Sequence, residues 1–163
     1  SLSGGLRFRP EPVPQVRLRG RVHTEVGAWT PALIQTFFWD GRDGFGERSE
    51  LDLPRRVGER HLFRAATAAE WSETTQGVEF GQVISWRTDL PGEREWLYRV
   101  GARVHTHPET VVDLIEWRIH HRRPAFRDWC FLRVEAGMDF REERAYRADP
   151  LVRFTLEFFV GEY

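Results

Sequence analysis

Apolar and polar residues alternate with a period of two along most of the chain. That period marks strands with one face buried and one face solvated. Val16, Leu18, Gly20 and Val22 alternate with Arg17, Arg19 and Arg21. Ile34 to Trp39 is rich in β-branched and aromatic residues and runs into an Asp40-Gly41 turn, so a strand is predicted there. Leu51 and Leu53 alternate with charges before Pro54, and His61 to Ala65 reads as a further short strand. Val78 to Phe80 and Gln82 to Trp86 form one strand with a bulge at Gly81. After the Leu90–Glu93 turn, Glu95 to Val104 supplies its hairpin partner. Trp129 to Val134 is predicted as a strand and Ala136-Gly137 as a turn. Val152, Phe154, Leu156, Phe158 and Val160 give the cleanest alternation, expected of an inner strand that closes the core.

Two regions resist this pattern. Ala66 to Gly77 fits a short helical turn or a polar loop. Val111, Leu114, Ile115 and Ile119 share one helical face, although Ile115, Trp117 and Ile119 also alternate; the Thr106–Glu109 lead-in tips the expectation to a short helix near 109–120. Many short strands joined by Gly and Pro turns predict a mainly β fold, an immunoglobulin-like antiparallel β-sandwich. Residues 1–15, with Pro10, Pro12 and Pro14, form an extended N-terminal arm, and 16–163 a single sandwich domain.

Composition narrows the chemistry. The chain has 163 residues, 40% hydrophobic and 30% charged, which predicts a folded chain. A net charge of −1 argues against general nucleic-acid binding. No apolar run reaches the roughly 18–20 residues of a helical span, so no membrane partner is expected. The opening SLSGGLRFRP lacks the apolar stretch of a signal peptide. It also lacks an initiating Met, as expected of a piece of a longer bacterial protein or of a tag remnant. Lys and Asn are absent, which fits a GC-rich genome and removes Schiff-base and P-loop lysines. Cys130 stands alone, so neither a disulfide framework nor a CxxC site is available. A cytoplasmic location is expected.

Candidate ligand contacts come from the aromatics. The chain has 7 Trp. Flat rings stack on sugars while neighbouring polar groups bind hydroxyls. Trp39 beside a turn, Trp71 in a polar stretch and Trp86 are candidate binding residues, together with Asp40 and Asp43; core packing is the alternative use of each ring. Asp40, Asp43 and Glu47 surround glycines but miss the spacing of a calcium loop. His105, His107, His120 and His121, with Glu109 and Glu116, offer imidazoles and carboxylates without a zinc spacing, so no metal or other cofactor is assigned. No nucleophile elbow, P-loop or GxGxxG appears, and no catalytic residue is assigned.

The order VRLRGRVHTE, WTPALIQTFFWDG, VGERHLFRA and LPGEREWLYRVGARVHTHPE, within residues 16–107, resembles the immunoglobulin-like accessory domains of bacterial α-glucan enzymes. The resemblance implies a non-catalytic role and does not extend past Pro108. The leading expectation is therefore an accessory binding module of a larger protein, with a glycan (α-glucan) partner held by exposed aromatics. The alternatives are a protein-interaction or assembly domain, homo-oligomers included, and a small His-dependent metalloenzyme.

Overall fold

The computed structural model describes residues 2–7, 15–41, 44–74, 76–126 and 129–158. Among the described residues ten strands form one sheet: β1 (Leu2–Arg7), β2 (Gln15–His23), β3 (Ala32–Asp40), β4 (Gly44–Val57), β5 (His61–Ser72), β6 (Glu79–Leu90), β7 (Arg94–His105), β8 (Val111–Pro124), β9 (Cys130–Arg141) and β10 (Ala148–Phe158). Their spatial order is their sequence order, and every described neighbour pair is antiparallel. The protein is mainly β, as the alternation predicts. It forms one sheet, however, and not the two facing sheets of the expected sandwich. Part of the expected N-terminal arm is β1, paired with β2.

Other expectations change at the level of elements. The helix expected near 109–120 is β8, because Ile115, Trp117 and Ile119 use the two-residue period. Ala66 to Ser72 continues β5, and Ala136-Gly137 lies inside β9. Gly81 continues β6 without a bulge; among the described pairings the register shifts between Arg103 and Val104. β4 runs through Pro54 because the proline carbonyl accepts from Thr30 N at 3.0 Å. Its nitrogen therefore points to the same flank, where the regular β3 ladder has ended. β10 is an edge strand bonded to β9 alone, rather than an inner strand. Val160 lies outside the described residues.

The register also slips steadily. The pairing row that starts at Val22, next to the end of β2, finishes on Ala148, the first residue of β10. A slip of about one residue per strand corresponds to strands tilted by about 35–45°, the tilt of closed barrels. The strand ends His23 and Ala32, Val57 and His61, Leu90 and Arg94, and Pro124 and Cys130 lie at one end of the sheet, here the upper rim. Asp40 and Gly44, Ser72 and Glu79, His105 and Val111, and Arg141 and Ala148 lie at the lower rim.

Burial is the least usual property. Among the described residues the buried hydrophobic positions are Ala32, Ile34, Cys130 and Phe131, and no large side chain is fully buried. Large apolar residues stand exposed on β2 through β10. A folded chain normally removes such groups from water. This sheet sorts them to one face and leaves that face uncovered.

Candidate functional site

The pairings assign every strand residue to a face. The apolar face carries Val16 and Leu18 on β2, Leu33 and Phe37 on β3, Leu51 and Leu53 on β4, and Ile84 on β6. It continues with Val100 on β7, Ile115 and Trp117 on β8, Met138 on β9, and Val152, Phe154 and Leu156 on β10. Most of its aromatic residues lie toward the two rims, with Trp86, Tyr98, Trp117 and Phe154 nearer the middle of their strands. At the upper rim Trp29 meets Phe63 edge-on at 6.2 Å, Trp96 stacks on His121 at 4.3 Å, and Trp129 lies 6.2 Å from Phe158. At the lower rim Phe37 stacks on Phe45 at 6.3 Å, and Phe45 meets Trp71 at 6.5 Å.

Arginines on this face also sit at a rim. Arg55, Arg94 and Arg123 are near the upper connections, and the Arg55 guanidinium lies 5.2 Å over the Trp29 ring. Away from the rims the polar groups are few, Gln82 and Thr67 among them; next to the lower-rim rings Gln35 bonds the Glu47 carboxylate and accepts from Ser49 Oγ at 2.9 Å.

The opposite face is charged and internally paired. Arg118 is its hub. Its guanidinium donates to Asp139 and, at 3.0 Å, to the Met138 carbonyl, and its Nε lies 3.2 Å from Glu135. Arg99 meets Glu116 at 2.8 Å. Glu157 bridges Arg122 at 2.9 Å and Arg133 at 2.6 Å. Asp52 takes both Nε and Nη2 of Arg64, at 2.6 and 3.0 Å. Such two-point contacts between guanidinium and carboxylate are directional as well as charged. Glycine makes room for the hub: a Cβ on Gly137 would lie 2.2 Å from the Trp117 carbonyl and 2.7 Å from Arg118 Cδ.

Exposure separates the two faces. The side chains of Arg118, Glu135 and Asp139 are only 10–13% exposed although charged, whereas Phe154 is 70% exposed. Side chains crowd on the concave side of a coiled sheet and splay on its convex side. The charged face is the more crowded of the two, as the concave side of a coiled sheet would be, and is called the inner face.

The predicted ligand residues do not converge. Trp39, Trp71 and Trp86 all lie on the apolar face, 44%, 42% and 37% exposed. Trp39 and Trp71 belong to the lower rim, and Trp86 lies just above the middle of β6, 5.4 Å from the His61 ring. Asp40 ends β3, and Asp43 lies outside the described residues. The histidines separate as well. His105 bonds Asp113 near the lower rim. His120 is on the inner face, 3.8 Å from Glu135, and His121 is on the outer face against Trp96. Among the described residues no three His, Cys, Asp or Glu side chains are grouped to hold a metal. The charged network was missed because each arginine alone reads as a solvated strand face; the signal lay in the acids at the same parity on neighbouring strands.

No protein-family model, curated protein or solved structure matches the chain. Among the described residues no helix is long and apolar enough to cross a membrane, a criterion that does not address strands.

Proposed function

We propose that the chain is a membrane-embedded β-sheet, the wall of a transmembrane β-barrel with its apolar face in lipid and its charged face around the lumen. One observation carries this reading: an uncovered apolar face that crosses the described strands β2 to β10 and is bordered at both rims by aromatic residues. Soluble monomers rarely expose apolar patches above a few hundred Å². Lipid-facing barrel surfaces have an apolar band flanked by aromatic girdles, alternating with a polar interior.

The dimensions agree. A tilted strand needs about 9–11 residues to cross the hydrocarbon core, and β4 to β10 have 11–14. The meander of short connections bonds each of β2 to β9 to two neighbours, and in lipid the edges of β1 and β10 would have to pair as well, as closure into a barrel provides. The expectation of no membrane partner came from helical span lengths, which do not bear on strands; the expected cytoplasmic location came from the lone cysteine and the lack of a signal-peptide stretch.

Vesicles with bromine on the acyl chains test the proposal. Strong quenching of tryptophan emission is expected, with Trp117 quenched most by bromine deep in the chain. A protein that is monodisperse without detergent and unquenched in these vesicles is not a membrane wall.

A second reading, an accessory module for a glycan or protein, draws support from the Gln35–Glu47–Ser49 cluster next to the lower-rim rings. Glycan pull-down that survives both Trp39→Ala and Trp71→Ala would remove the glycan form of it.

A further inference from the structure

The inner face is not uniformly filled. Gly101 and Gly137 each lie beneath a charged side chain, Glu116 and Arg118, so an added Cβ would collide. Gly46 is likewise covered by the Phe38 ring. Gly81, on the inner face two residues from the lower end of β6, has nothing within 4 Å of where its Cβ would be. Two hollows meet there. Both include Arg48, Ala68, Gly81, Val83 and Arg99. One, of about 180 Å³, extends toward Glu79 and Arg103 at the lower rim. The other, of about 430 Å³, extends toward Arg87 and Glu95 near the upper rim. Together they form a trough along β6, floored by small residues and spanning most of the strand.

The trough walls carry both signs of charge in pairs. Arg48 lies 2.9 Å from Glu70, Arg99 2.8 Å from Glu116, and Arg87 4.0 Å from Glu95. A hollow with such a lining holds water, and charged side chains set which ions pass through a pore. Its mixed charge provides sites for both ion signs and excludes neither. We infer that the trough along β6 is an aqueous passage for small inorganic ions of either sign through the barrel. The inference rests on the membrane reading above.

The test is conductance in a planar bilayer bathed in KCl, with brominated-lipid quenching of the same preparation to report insertion. The inserted protein is expected to conduct, with a reversal potential near zero in a KCl gradient. Gly81→Trp, whose side chain has open space to enter, should remove most of the conductance. Glu70→Gln with Glu116→Gln should shift the reversal potential toward that of chloride. Gly81→Cys gives a second probe that does not depend on a bulky side chain. A charged, water-soluble thiol reagent should change its conductance and leave the parent protein, with only the buried Cys130, unaffected. Insertion without conductance, or conductance indifferent to Gly81→Trp and to Gly81→Cys modification, overturns the passage and leaves the wall standing. A protein that does not insert overturns both.

Discussion

The two faces of this sheet are made by the same strands, yet they obey opposite rules. On the inner face charged groups find partners on the neighbouring strand: Arg99 with Glu116, Arg118 with Asp139, Arg133 with Glu157. On the outer face Leu, Ile and Val side chains stand exposed, and ring contacts concentrate at the rims. A water-soluble β-protein places its charges outside and its apolar groups inside. Here the arrangement is inverted, the pattern that an apolar medium outside the sheet, as proposed above, would select.

The largest expected effect comes from breaking the inner face. Arg118→Ala leaves Glu135 and Asp139 without the cation they share. Removing one partner of a buried charge pair costs about 3–5 kcal/mol. Urea unfolding of the vesicle-inserted protein should show a loss of this order. A variant as stable as the parent would mean that the inner face is wet enough to screen its charges.

Breaking the outer face comes next. Ile84→Arg puts a cation in the middle of the apolar band. In lipid this costs about 2–4 kcal/mol at the midplane, whereas on a water-exposed strand surface it is close to neutral. The same unfolding measurement decides between them, and a neutral result would remove lipid as the partner of that face.

The smallest effect sharpens the contrast at its weakest point. Glu47 places a carboxylate on the apolar face. Glu47→Leu should stabilise the inserted protein by on the order of 1 kcal/mol, since acids on a lipid face cost less than a midplane arginine. Destabilisation, or loss of a bound glycan, would favour a binding role for that cluster.

Much of the strand content was legible in the sequence, because a two-residue period survives in most segments. Val16–Val22 and Glu95–Val104 needed nothing else. β8 was misread because Val111, Leu114, Ile115 and Ile119 satisfy a helical stripe as well as a partial strand pattern, and only cross-strand pairing separates the two. The second half of β5 was obscured by alanines, which have low strand propensity. The sandwich failed for a more general reason. Alternation says that two faces differ, but it does not say which one meets water. The candidate site was legible only as an inventory: the exposure of Trp39, Trp71 and Trp86 depends on what covers their face, and the inner network depends on register between strands.

The strand count has one more consequence. Among the described residues ten antiparallel strands follow one another in sequence order, so Leu2 at the start of β1 and Phe158 at the end of β10 arrive at the same rim. In a bilayer, both ends of the sheet would open into one compartment. Labels attached before β1 and after β10 should thus be protected from, or exposed to, an external protease together.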